Sequence, residues 1–79
     1  MKMIVKVTCL KDKHSVLYTD CTEIEQGAFW DDDTESFCIG HRLYLSDGET
    51  ATFRNGFLIE MYMTEWDYNN GIRRLKIVV

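Results

Sequence analysis

The chain has 79 residues, a formal net charge of −4 and 46% apolar residues. That length is one domain's worth, and the apolar content excludes a disordered chain. The mild acidity excludes a polyanionic mimic of nucleic acid and leaves only a local acidic patch to consider.

A domain this small buries only about 60% of the surface its unfolded chain exposes, so its core is thin. No apolar run approaches the roughly 20 residues that span a bilayer, and no membrane segment is expected. The first element is a strand at residues 2–10, where Met3, Val5, Val7 and Cys9 alternate with Lys6 and Thr8. The same stretch does not read as a secretory leader, because Lys6 interrupts it and no small-residue cleavage site follows. Strands are expected next at 15–19 and 23–30. Thr22-Glu23-Ile24-Glu25 also fits a capping box, so a short helical turn within residues 20–36 is the alternative. Gly27 weakens such a helix, and the strand is preferred.

Three Asx-Gly pairs punctuate the second half, Asp47-Gly48, Asn55-Gly56 and Asn70-Gly71, with strands expected at 36–46, 49–54, 57–66 and 72–79. Because side chains alternate with period two, loop length decides which faces meet. Three-residue loops with glycine in the left-handed position set Leu43 opposite Ala51, Phe53 opposite Phe57 and Ala51 opposite Ile59. In the last hairpin they set Met61 opposite Val79 and Met63 opposite Ile77. Two-residue loops would place Ile59 against Thr52 and Leu45 against Thr50, so the longer loops are the consistent choice. They assign Phe37, Ile39, Leu43, Leu45, Phe53, Phe57, Ile59, Met61, Met63, Leu75, Ile77 and Val79 to one core face. The expected fold is all-β: a single domain over residues 1–79, an antiparallel meander rolled into a small barrel or sandwich.

Cys9, Cys21 and Cys38 are odd in number and widely spaced, which points to free thiols in a reducing cytoplasm. Gly40, Gly48 and Gly56 lack the spacing and following helix of a phosphate-cradling loop, and no cofactor is expected. Cys38 and His41 have ligand-like spacing and would be the centre of a thiol- or zinc-dependent domain. On a regular strand they point to opposite faces unless Gly40 kinks, and no second close pair completes a tetrahedral zinc set. A nucleophilic thiol also needs a lowered pKa, an orienting partner and an oxyanion hole. The expectation is therefore no enzyme, no metal, and His41 as a hydrogen-bonded core histidine facing Phe53.

Asp31-Asp32-Asp33-Thr34-Glu35 follows Trp30 and lacks the spacing of a calcium loop. It suits steering towards a basic patch on a partner; the plain alternative is a solvated hairpin loop. The register above also gathers Arg42, Tyr44, Thr50, Thr52, Leu58, Glu60, Tyr62, Thr64, Trp66, Arg74 and Lys76 on one even-numbered face. Tyr, Trp and Arg are the residue types enriched at interface hot spots, and Trp66 would meet Arg74 in a cation–π contact. Two plainer readings compete: an ordinary solvated sheet face, or a second core layer that includes Tyr62 and Trp66.

The expected function is a small non-catalytic protein-binding module, an inhibitor or regulator occupying a surface of a larger protein. A phage or mobile-element accessory protein acting on a host machine is one such role. Its binding residues would be Arg42, Tyr44, Leu58, Tyr62, Trp66 and Arg74, with Trp30, Asp31, Asp32, Asp33 and Glu35 supplying electrostatic selectivity. The alternative is single-stranded nucleic-acid binding through Arg42, Arg73, Arg74 and Lys76 with interleaved aromatics, against which the acidity stands. A homodimer paired through an end strand, 2–10 or 72–79, is also open, with Lys6, Arg74 and Lys76 as edge protection.

Overall fold

The alternation of Met3, Val5 and Val7 against Ile4 and Lys6 makes Met3–Cys9 (β1) a strand with both faces in use. Val5 and Val7 are buried on one face and Ile4 on the other. In this computed structural model, which describes residues 2–79, β1 sits between two antiparallel neighbours. The remaining strands are β2 (Ser15–Asp31), β3 (Ser36–Leu45), β4 (Thr50–Phe53), β5 (Phe57–Tyr62) and β6 (Leu75–Val78), with a short helix α1 (Glu65–Asn69) before the last. They form one six-stranded antiparallel sheet in the order β4-β3-β2-β1-β5-β6. Met1 lies outside the described residues.

The strands expected at 15–19 and 23–30 are a single strand, β2, with an irregularity between Cys21 and Glu23. With a second register shift against β1 between Tyr18 and Cys21, it moves the core-facing positions from Tyr18 to Cys21 and on to Ile24 without ending the strand. No helical turn forms at residues 20–36; the Thr22 hydroxyl donates to the Tyr44 carbonyl across the sheet (3.1 Å) instead of capping. The helix lies at 65–69. There the Thr64 hydroxyl accepts from Asp67 N–H (3.0 Å) at the start. Asn70 and a left-handed Gly71 (φ 70°) end it, and Ile72 N–H donates to the Asp67 carbonyl (2.8 Å).

The Asp47-Gly48 turn is as expected: Gly48 is left-handed (φ 89°) and Leu43 faces Ala51. The Asn55-Gly56 turn is not a hairpin. β5 pairs with β1, Ile59 opposite Val7, so the expected pairings Phe53–Phe57 and Ala51–Ile59 do not form. Four strand spacings separate β4 from β5 in the sheet order, about 19 Å if flat. The chain from Phe53 to Phe57 reaches about 14 Å at most. The sheet must therefore curl, which brings the rings of Phe53 and Phe57 to 5.2 Å, yet it does not close into a barrel. In the last hairpin Met61 faces Leu75 rather than Val79, and Ile59 rather than Met63 faces Ile77, because the strand expected at 57–66 stops at Tyr62. The displacement is even, so the faces are preserved.

Val5, Val7, Cys21, Leu43 and Ile59 form the core inside the curl, with Tyr18, Phe53, Phe57 and Ile77 against them. Phe37, Ile39 and Leu75, expected in the core, are exposed. For Phe37 and Ile39 the reason is length. Among the described residues, β1 reaches β2 no farther than Cys21, and β4 reaches β3 no farther than His41. The rest of the β2–β3 hairpin projects as a two-stranded arm.

Candidate functional site

The residues expected on one even-numbered face are dispersed. Arg42 and Tyr44 stand on β3, Leu58 and Tyr62 on β5, with β2 and β1 between, and the curl turns these outward faces apart. Tyr62 is only 8% exposed, packed edge-on against Tyr68 of α1 (5.1 Å), so it belongs to a small second layer with Ile4. Trp66 is on the helix and 64% exposed. Arg74 precedes β6, its N–H bonded to the Met61 carbonyl (2.9 Å). The expected Trp66–Arg74 contact is absent: among the described residues the cation–π pair is Arg42 over Phe29, at 4.1 Å. Of the basic residues considered for nucleic acid, Arg42 is on β3, Arg73 is ion-paired with Glu60 (2.8 Å), and Arg74 and Lys76 lie at the far edge by β6.

The arm concentrates what the even face does not. Ile24–Leu43, Gln26–His41, Ala28–Ile39 and Trp30–Phe37 are successive cross-strand pairs on the face continuous with the core. The stripe starts buried at Leu43 and emerges outwards: Ile39 is 72% exposed, Phe37 70% and Trp30 53%. Trp30 and Phe37 stack edge-to-face at 5.3 Å, which fixes both rings without covering them.

The acidic run forms the arm's tip. Asp31 pairs with Ser36, Asp33 N–H donates to Asp31 Oδ1 (3.0 Å), and Glu35 takes a left-handed conformation (φ 51°). Trp30 Nε1 donates to Asp32 Oδ1 (2.7 Å), so the indole and the acidic turn are one unit. Arg54, just past β4, ion-pairs with Asp31 (2.6 Å). Among the described residues Asp32, Asp33 and Glu35 form no ion pair. A groove of 640 Å³ runs beside the arm, lined by Cys38, Ile39, Thr52, Arg54, Asn55 and Phe57.

On the opposite face Cys38 lies near Thr34 Oγ1 (3.7 Å), Ser36 Oγ (3.8 Å) and Arg54 (3.7 Å). Hydrogen bonding by Thr34, then Ser36 and Arg54, holds its thiol below the ordinary value, whereas burial raises that of Cys21. Gly40 does not kink: it pairs in register with Gly27, so Cys38 and His41 stay on opposite faces. No group of three or more His, Cys, Asp or Glu among the described residues could hold a metal ion. His41 is buried and faces Phe53 as expected, but its Nδ1 has no hydrogen-bond partner, contrary to expectation.

Trp30 and the acidic turn are candidates from the sequence, whereas Phe37 and Ile39 read there as core and stand exposed. The signal that could have found them is the mismatch between a long hairpin and the short strands available to cover it. The chain matches no family model, no curated protein and no solved structure.

Proposed function

We propose that the protein is a non-catalytic protein-binding module that docks through the β2–β3 arm, an inhibitor or regulator occupying a surface of a larger protein. The observation that carries this reading is the exposed cluster Trp30, Phe37 and Ile39 at the end of an ordered hairpin. Leaving such side chains in water forgoes about 1.5–3 kcal/mol each, which burial against a partner recovers. Contiguous exposed apolar surface rimmed by charge is the usual mark of an interface. The unneutralised Asp32, Asp33 and Glu35 set the partner's character: an apolar depression bordered by Lys or Arg. A nucleic-acid backbone would be repelled by the same tip. Phe37 and Ile39 beside Trp30 take the anchoring role expected from sequence of Tyr44, Tyr62 and Trp66, and the acidic turn supplies selectivity. The three free thiols suit a reducing compartment such as the cytoplasm.

The test is photo-crosslinking from position 37 in a lysate of the source organism. One protein adduct, lost in a folded Trp30→Ala, Ile39→Ser variant, is expected. Crosslinking to no protein, or equal crosslinking by the variant, overturns the reading.

A further inference from the structure

Among the described residues, three of the sheet's open strand edges differ in how they are protected. β4 and β6 are each four residues long, and β6 carries Lys76 just after Arg73 and Arg74. Shortness and edge cations are the ordinary defences against pairing with another chain. The third edge is the rim of the arm formed by β2 beyond its bulge, residues 23–31. Among the described residues, β3 lies on one side of it and no strand on the other, and no backbone hydrogen bond ties that open side to the rest of the chain. It contains no Lys, Arg or Pro. At the base of the arm's other rim the segment after β4 comes close: a Cβ placed on Gly40 would stand 2.6 Å from the Phe53 carbonyl oxygen, and Arg54 reaches Cys38.

We infer that this open rim of β2 takes an extended segment of the partner as an added strand, with apolar and basic side chains alternating along it. The inference rests on the docking reading above and specifies its backbone geometry. Side chains directly opposite on neighbouring strands share a face. An added strand therefore sets one alternate set of residues beside Ile24, Ala28 and Trp30, and the other beside Glu23, Glu25 and Asp31. Asp31 is already ion-paired with Arg54, but Glu25 accepts from the neutral Tyr44 hydroxyl, and Arg42 across from it is turned to Thr52 (2.9 Å) and Phe29, so Glu23 and Glu25 retain charge to offer. The same distribution argues against a second copy of this chain as the added strand. Fully overlapped antiparallel self-pairing would set Glu23 of each rim opposite Asp31 of the other. Main-chain hydrogen bonds supply affinity in strand addition, and the alternating side chains supply selectivity.

The experiment titrates the isotope-labelled full chain with a capped alternating Lys–Val peptide as long as the rim. It also uses two analogues, N-methylated on the lysine or on the valine amides. In a strand, successive amides point to opposite edges, so methylation of one set blocks the paired edge and methylation of the other does not. The expected result is amide-shift changes and slowed hydrogen exchange within residues 23–31, with binding lost for one analogue only. A Glu23→Lys, Glu25→Lys variant should lose about tenfold in affinity for this peptide and prefer a Glu–Val peptide. Absence of binding at millimolar peptide, equal binding by the two analogues, or changes mapping away from the rim overturns strand addition. If the adduct at position 37 forms while the analogues bind alike, docking through the arm stands and only its strand geometry falls.

Discussion

At Cys21 strand β2 has β1 on one side and β3 on the other, and the side chain is fully buried. Further along the same strand, at Trp30, β3 is the only neighbouring strand among the described residues and the indole is half exposed. The alternation of side chains is equally good in both places. What differs is the second layer: a curled sheet supplies its own where its edges approach each other, and supplies none where the hairpin outruns the curl. An apolar face continued past its cover is a packing surface without a lid, which is why the arm, and not the body, carries the docking reading.

The sharpest way to break this comparison is to truncate one side chain on each side of the boundary. Leu43→Ala removes a fully buried side chain from the centre of the core, at a cost of about 3 kcal/mol. A domain of this length holds roughly 4–12 kcal/mol in total, so the loss should move the urea midpoint far. Ile39→Ala, on the same face of the same strand, should cost less than about 0.5 kcal/mol, as for an exposed position. Comparable losses for the two variants would mean that the arm is packed in solution, and both readings built on its exposure would fall.

A smaller effect tests where the body ends. Gly27 and Gly40 are cross-strand partners, yet their surroundings are opposite. An alanine Cβ at Gly40 would meet the Phe53 carbonyl at 2.6 Å, and backbone must move, so Gly40→Ala should destabilise by about 1–3 kcal/mol. At Gly27 the nearest atom is the Phe29 ring at 3.6 Å, ordinary contact. Gly27→Ala should be neutral or stabilise by up to about 1 kcal/mol, through the entropy the unfolded chain loses. Thermal unfolding of the two variants checks the sign of each.

The same boundary marks how far the sequence could be read. Period-two alternation and the Asp47-Gly48 turn gave the strand class, the β3–β4 register and the faces, because these depend on neighbours close in the chain. The partner of β5 was not legible: Ile59 and Met61 alternate equally well against β4 or β1, and only the curl chooses β1. Asn70-Gly71 read as a hairpin loop, yet it ends a helix, since a left-handed residue serves either purpose. Thr64-Glu65-Trp66-Asp67 held the matching start signal, outweighed by the apolar alternation of Ile59, Met61 and Met63 before it. Trp30 and the acidic turn read from sequence as a candidate site, while Phe37 and Ile39 read as core because alternation records which face is apolar and not where its cover stops.

A further small effect on stability concerns what holds the arm to the body. The Arg54–Asp31 pair is the one ion pair, among the described residues, joining the tip to the segment after β4. Arg54 is 46% exposed, so solvent screening limits the pair to less than about 1 kcal/mol, and Arg54→Gln should barely change global unfolding. Its local consequences should be larger. Arg54 is one of the groups that hold the Cys38 thiol below its ordinary pKa, so removing it raises that pKa and lowers the thiolate fraction at any pH below it. Alkylation of Cys38 near neutral pH should therefore slow in the variant, while Cys21, buried and with its thiol pushed up, stays the slower thiol in both proteins. Amide exchange in residues 26–39 should quicken with no change at Val5, Val7 or Ile59. Unchanged alkylation and unchanged exchange would mean that the β2–β3 ladder alone orients the arm, and that Arg54 answers to the acidic tip without anchoring it.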